Sequence, residues 1–483
     1  MTRAVDGRAL KAPFVSIDFR IRDFLSPAAI WRTRRLFERT QWLPPDDLRA
    51  FQDRLLREQI AFAYERVPYY RDLFDHYRLT PADITCADDL HKLPLLGKED
   101  VRRAGDRIRA DGSRHAHAVR TSGTTGSPVT VWLDRQANVL EFVYYWRHWS
   151  WAGYRLGQRF AELGSHFFVG RPGLHGRVAV FQRHLNRLML STLHLSPART
   201  DEFADAIRRR RPRFLKGLAG DLYFLAVMLS ERGIDDIAFQ AVFSTGETLL
   251  PAYRTVIERT FHCRALDSYG HMERTVAVSE CPEGGYHVNA EYGILELADV
   301  GPRGADGTVA GIAHGTALHN RAMPLIRYEI GDLIEPLTEK GVGSRFLSSP
   351  GVVCPCGRTL PLVKAVHGRE QDVIVTPDGR VITSLFLVLE FIEGVEFGQF
   401  VQETPDRLTV SIVRGPGFSR RTEEDLLHWL RQYVGAEMRI DLRTISRDEI
   451  ARTPTGKVRP VISHVPPPGP DTRADDASDR KQE

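Results

Sequence analysis

The chain has 483 residues, 42% of them hydrophobic, with a formal net charge of +4 from 66 basic and 62 acidic side chains. That length exceeds what one compact core organises, so a large domain with a smaller companion is expected. The near-balance of charge supplies no field for nucleic acid or an anionic membrane, which leaves a small molecule as the expected partner.

The start "MTRAVDGRALKAPF" lacks the apolar segment of a secretory leader, and no apolar run reaches the roughly 18 residues of a membrane span. A cytoplasmic protein with no nucleic acid partner and no membrane span is expected. From Leu48 to Tyr77 apolar residues recur at helical spacing, interrupted at Pro68, which predicts helices with a break there. Strands are expected to begin near Ala116. Between Thr121 and Ser127 every residue is Gly, Ser or Thr, and strand-like "VTVWLD" follows. Such a loop lets backbone N–H groups and hydroxyls converge on phosphate oxygens. It is not of the Walker type, because "GTTGSP" lacks the Lys-Ser/Thr ending and no helix pattern follows.

The aromatic run from Phe142 to Tyr154 suits either a core helix or a pocket wall. Strand-like runs (Arg213–Leu218, Ala241–Ser244, Arg264–Ser268) then alternate with helical ones (Glu202–Arg209, Leu222–Arg232, Ala252–Phe261), an α/β pattern. Tyr292 to Leu333 is mostly β in texture. Near Gly368 the texture changes: "DVIVTPDGRVIT" predicts a hairpin with a Pro-Asp-Gly turn, then an apolar helix around Leu385–Phe391. Strands at Phe397–Gln402, Leu408–Val413 and Met438–Arg443 and a helix at Thr422–Val434 complete a small α+β unit of about 95 residues. The expected organisation is a large domain over 1–367, a hinge at Gly368–Asp372 opening a small mobile domain over 368–464, and a Pro-rich, then charged, disordered tail over 465–483.

After the Ser/Thr/Gly loop come, in order, "STGETLL" (244–250), "DSYGHMERT" (267–275), "MPLIRYEIGDL" (323–333), "HGREQD" (367–372) and "ARTPTGKVRP" (451–460). Together they resemble the ordered signature motifs of the acyl-adenylate-forming superfamily, which includes acyl-CoA synthetases, peptide-synthetase adenylation domains and luciferases. The stretch "VPYYRDLFDHYRLTPADITCADDLHKLPLLGKEDVR" is similar to the phenylacetate-CoA ligase branch, which also includes capsule-biosynthesis ligases. The resemblance implies an α/β fold, with β-sheets and packed helices in a large N-terminal adenylate-forming domain and a small mobile α+β C-terminal domain. It also implies ATP, Mg²⁺ and coenzyme A.

Residue by residue, the resemblance assigns the ATP phosphates to Ser122, Gly123, Thr124, Thr125 and Gly126, with Val129 where many relatives carry Lys. Gly246 and Glu247 would contact adenine, Tyr269 followed by Gly270 would pack on its ring, and Glu273 would serve Mg²⁺, a hard cation suited to a carboxylate. Met272 replaces a Thr common before that Glu. Asp332 would accept hydrogen bonds from the ribose hydroxyls, with Arg327 orienting the loop, and Arg369 would sit near the nucleotide, although Gln371 departs from the usual acidic pair. Lys457 matches the Lys that bridges the substrate carboxylate and the α-phosphate. In this Arg-rich chain no other Lys falls between positions 364 and 481, and a mobile ammonium can neutralise two approaching anions.

Five cysteines are present, an odd number in a reducing compartment where thiols serve metals rather than disulfides. Cys281 with His287, and Cys354 with Cys356, make four ligands suited to tetrahedral Zn²⁺, and zinc-bearing relatives in the branch show similar spacing. Cys86 and Cys263, among apolar neighbours, are expected to be buried small residues. The expected activity is ATP-dependent activation of a carboxylic acid, aryl or arylacetic by resemblance, followed by thioester formation with coenzyme A; a homodimer is compatible with it. The rival readings are delivery of the acyl group to an amine or hydroxyl, and a catalytically silent nucleotide-binding scaffold.

Overall fold

The computed structural model describes residues 27–465 apart from 114–115, 121–128, 165–166, 169–171, 175, 196, 300–309, 338–352, 370–373, 378–380, 383–384, 386–391, 393, 416 and 452–460. Twelve strands form one sheet in the spatial order Gly293–Asp299, Gly311–Ala317, Tyr328–Pro336, Leu362–Arg369, Tyr286–Val288, Ala277–Glu280, Arg264–Gly270, Ala241–Thr245, Phe214–Gly217, Phe160–Leu163, Arg187–Leu190 and Ala179–Gln182. The five strands from Arg264–Gly270 to Arg187–Leu190 are mutually parallel. Parallel strands need helical crossovers and are covered on both faces, so their sequences are apolar in both phases.

The two phases separate cleanly. Ala161, Leu215, Val242 and Ala265 face helices Thr200–Arg210, Ala219–Glu231 and Pro251–Phe261. Phe160, Phe214, Phe243 and Leu266 face helix Arg135–Trp151. That helix carries the aromatic run, and its buried residues, Tyr144, Tyr145, Trp146 and Trp149 among them, make it a core element. The antiparallel end of the sheet packs on helices Pro45–Arg66 and Pro68–Tyr77. Val67 closes the first of these in an extended conformation and Pro68 opens the second, so the predicted break occurs where proline demands it.

A separate ladder pairs His117–Arg120 with Thr130–Leu133, and the Arg120↔Thr130 pair brings together the two ends of the Ser/Thr/Gly segment, which itself lies outside the described residues. The smaller sheet runs Arg439–Thr444, Arg407–Arg414, Val395–Thr404, Val461–Ser463, with helix Arg420–Val434 laying Leu426, Leu430 and Val434 on its core. The expected hairpin pairs Ile374–Val375 with Val381–Ile382. Of the predicted helix around Leu385–Phe391, Leu385 alone is described, and it is buried. Strand Leu362–Arg369 keeps Gly368 and Arg369 inside the large sheet. No helix among the described residues is long and apolar enough to cross a membrane.

Helix Arg135–Trp151 is pinned by a buried charge. Arg147 pairs with Glu291 and donates to Asn289, and its Nη1 also donates to the Phe37 carbonyl at 3.1 Å. Thr40 donates to Glu291 at 2.7 Å. Both charged side chains are almost fully buried, 2% and 0% exposed, so removing one partner strands the other without water. Arg147→Met is expected to cost roughly 3–5 kcal/mol in chemical denaturation, and adding Glu291→Gln to recover part of it.

Candidate active site

The carboxyl ends of the parallel strands are where an open α/β sheet offers a crevice to a ligand. Gly217, Thr245 and Gly270 end three of them. Gly246 follows at φ +75°, a left-handed turn that favours glycine. Glu247 Oε2 accepts from the Gly220 N–H at 2.9 Å, at the start of helix Ala219–Glu231. Its carboxylate therefore complements the positive end of that helix and braces the turn.

On either side of Gly270 the chain is joined to strand Tyr328–Pro336. Tyr269 donates its hydroxyl hydrogen to Asp332 Oδ2 at 2.6 Å, and Tyr328 donates to Glu273 Oε1 at 2.9 Å. Glu273 Oε2 also receives a hydrogen bond, from His271 Nδ1 at 3.1 Å. The Val276 N–H points at His271 Nε2, 3.3 Å away, which makes Nε2 the acceptor and leaves the proton on Nδ1. Glu273 is 4% exposed, and a buried carboxylate held in place by hydrogen bonds is a hard oxygen donor whose chemistry fits Mg²⁺.

Asp332 owes its place to a bulge. Ile312 and His314, two apart, pair with Leu333 and Glu329, four apart, and Gly331 within the excess has φ +76°. Asp332 also pairs across the sheet with Arg369, so the structure brings Tyr269, Asp332 and the Arg369 backbone together. Arg327 plays a bracing part: it pairs with Glu296 at 3.0 Å and donates to the Leu93 carbonyl at 2.5 Å. Ser122, Gly123, Thr124, Thr125, Gly126 and Lys457 lie outside the described residues. His271 and Tyr328, which hold Glu273, were not singled out from the sequence.

Two carboxyls share the buried space behind this ledge. Glu280 Oε2 accepts from the Asp267 N–H at 2.8 Å and pairs with Arg254 at 2.7 Å. Burial, with the Glu280 charge adding to it, pushes the Asp267 carboxyl up to about 7. The folded chain thus holds that proton more tightly than the unfolded one, and the stabilisation it confers is full below 3.8 and lost as pH rises through about 7. Asp267→Asn is expected to melt several degrees above the wild type at pH 8 and to lose that advantage near pH 4, read by thermal unfolding across pH.

A second cluster lies where strand Tyr286–Val288 joins the segment before strand Leu362–Arg369. Cys281 Sγ and Cys354 Sγ are 3.6 Å apart, Cys356 Sγ and His287 Nε2 are 3.3 Å apart, and all four ligand atoms lie within 4.8 Å of one another. A disulfide is excluded at such a sulfur separation, whereas the edge of a zinc–thiolate tetrahedron is about 3.8 Å. His287 Nδ1 lies 3.3 Å from the Leu360 carbonyl, which directs Nε2 at the cluster, and the Gly285 N–H donates to Cys281 Sγ at 3.3 Å. A Cβ on Gly285 would come within 2.7 Å of Cys354 Sγ, so the turn has room for glycine alone. Donor types and spacing fit Zn²⁺. Cys86 and Cys263 prove half-buried rather than buried, Cys86 because its sulfur faces the Asp89 carboxylate at 3.5 Å. Protein made with zinc supplied is expected to carry about one zinc per chain by elemental analysis, and Cys354→Ser with Cys356→Ser to lose it and melt earlier.

The comparisons with known proteins agree with this architecture. Residues 374–464 match the family model described as the CapK C-terminal domain. Protein CapK of Staphylococcus aureus is 22% identical over 87% of this chain and 90% of its own length. Phenylacetate-coenzyme A ligase of Thermus thermophilus is 27% identical over 69% of this chain and 73% of its own. In fold, the chain superposes on 2-hydroxyisobutyryl-CoA ligase in its postadenylation state with a TM-score of 0.67, at 19% identity, covering 88% of this chain and 91% of that one. In sequence the chain is thus similar to Protein CapK and to phenylacetate-coenzyme A ligase, and in fold it is similar to 2-hydroxyisobutyryl-CoA ligase.

Proposed function

We propose that the protein activates a carboxylic acid with ATP, releasing pyrophosphate and forming an acyl-adenylate, and then transfers the acyl group to the thiol of coenzyme A. The pair of links between the 269–273 segment and strand Tyr328–Pro336 supports this most directly. They set an aromatic ring, a carboxylate able to accept from ribose hydroxyls and a second carboxylate on one ledge. In this reading Tyr269 packs on adenine over the turn made by Gly246 and Glu247, Asp332 takes the ribose, and Arg369 flanks it. Magnesium held by Glu273 would neutralise charge on the phosphates.

In the first step a substrate carboxylate oxygen attacks the α-phosphorus and the bond to pyrophosphate breaks. Two anions must be brought together, so the chain has to supply both alignment and positive charge. Ser122, Gly123, Thr124, Thr125 and Gly126 would align the phosphates with uncharged donors, and Lys457 would supply the ammonium. In the second step the thiol sulfur attacks the acyl carbon and AMP departs. The small unit, 374–464, would reorient about the stretch after Arg369 between the two steps. The alternative for the second step is delivery of the acyl group to an amine or hydroxyl instead of a thiol.

Pyrophosphate exchange into ATP is expected with a suitable acid and Mg²⁺ and with neither alone, and screening acids with and without coenzyme A separates the acceptors. Lys457→Ala is expected to lower adenylate formation by about 10²-fold or more while thioester formation from supplied acyl-adenylate survives. Lys457→Arg should rescue poorly, because a planar guanidinium replaces a compact ammonium badly between two oxygens. Equal loss in both steps would overturn the reorientation. No exchange with any acid would return the chain to the scaffold reading.

A further inference from the structure

Along the face of the parallel sheet covered by helix Arg135–Trp151, the strands are apolar at Phe160, Phe214 and Phe243 and turn polar towards their carboxyl ends, at Glu162, Lys216 and Thr245. Glu162, Lys216 and Phe243 stand in register on three adjacent strands. Lys216 is 3% exposed, and its Nζ, sealed from bulk water, makes no hydrogen bond among the described residues. Its ion pair with Glu162 is 3.5 Å long, beyond a well-formed hydrogen bond, and Arg187 draws the same carboxylate at 3.1 Å. Two cations thus share one anion, with ammonium donors to spare.

The surroundings of that ammonium are aromatic: Nζ lies 5.5 Å from the centre of the Tyr145 ring and 6.0 Å from that of Trp149. Tyr145 in turn reaches the nucleotide ledge, its hydroxyl 3.1 Å from Thr245 Oγ1 and 4.0 Å from where a Cβ on Gly270 would stand. Lys216 is therefore one ring's length behind the turn that leads into Gly246 and Glu247. An apolar side chain among Phe214, Phe243 and Trp149 would fold at least as well as a poorly paired buried ammonium, so the pair's cost brings no stability of its own.

We propose that Lys216, balanced by Glu162, anchors the far end of the acid substrate, and that this acid carries an oxygen acceptor, a hydroxyl or a second carboxylate, distant from the carboxylate being activated. The inference rests on the acid-activating function proposed above. Tyr145 and Trp149 flank the body of the acid, the adenylated end lies at the Gly270 ledge, and Lys216 donates to the distal oxygen. A site built to donate to that oxygen disfavours the analogue lacking it, because the donors are then left buried and unpaired.

The test compares matched acids with and without a distal hydroxyl or carboxylate, by pyrophosphate exchange and by calorimetric binding, in the wild type, Lys216→Met and the charge-neutral double variant Lys216→Met/Glu162→Gln. The wild type is expected to prefer an oxygen-bearing acid by about tenfold or more in kcat/KM, and both variants to lose most of that ratio, chiefly through KM and binding. Which oxygen group is preferred identifies the acceptor. A ratio unchanged in a folded double variant, or equal losses on both acids, would overturn the role of Lys216 and leave acid activation standing. Wild-type exchange with no acid at all would overturn both.

Discussion

The buried pair of Arg147 and Glu291 is the constraint on which the rest of the site depends. It fixes helix Arg135–Trp151 against the sheet by a charge that has no other outlet, and three working groups leave that helix within two turns. Tyr145 reaches Thr245, His148 lies 3.0 Å from the Glu280 carbonyl, and Trp151 sets its ring edge to face His287 at 5.7 Å. A core assembled from aromatic residues alone would hold the helix against the sheet but allow it to rotate or slide by a residue. A buried guanidinium that needs its carboxylate and two further acceptors does not tolerate such a shift.

Because that register is fixed, the sheet separates two kinds of chemistry. At the carboxyl ends of the parallel strands, backbone turns and hydrogen-bonded carboxylates make the ledge that in the proposed function would receive an anionic nucleotide and a hard cation. At the antiparallel side, the strands that return the chain carry sulfur and imidazole in a closed cluster. Glu280 and Cys281, neighbours in sequence, belong one to each: Glu280 faces Arg254 and Asp267, while Cys281 faces Cys354.

Much of this was legible in the sequence because it is local. The helix break at Pro68, the alternation of elements from Thr200 to Gly270 and the small α+β unit follow from periodicity and from proline and glycine chemistry, and their observed bounds differ from expectation by a few residues. The four metal-type ligands were visible because cysteine is rare in this chain. What escaped notice is pairing at a distance. Nothing near Glu273 in sequence announces Tyr328, 55 positions on, and nothing near Lys216 announces Glu162 on a neighbouring strand. Lys216 is one of eight lysines in the chain, and its meaning needs the sheet. The partial exposure of Cys86 was missed for a similar reason, since a short helical turn presents Asp89 to it.

The position of strand Leu362–Arg369 carries one more consequence. It enters the sheet directly after the Cys354/Cys356 cluster and pairs with Tyr328–Pro336 and Tyr286–Val288 on either side. Its last residue, Arg369, is therefore a fixed mooring, and the next paired residue of the small unit is Ile374. A tether of five residue steps spans at most about 17 Å when fully extended. Ile374 therefore stays within that distance of the end of one strand, so the reorientation in the proposed function would be a rotation on a short leash rather than free diffusion.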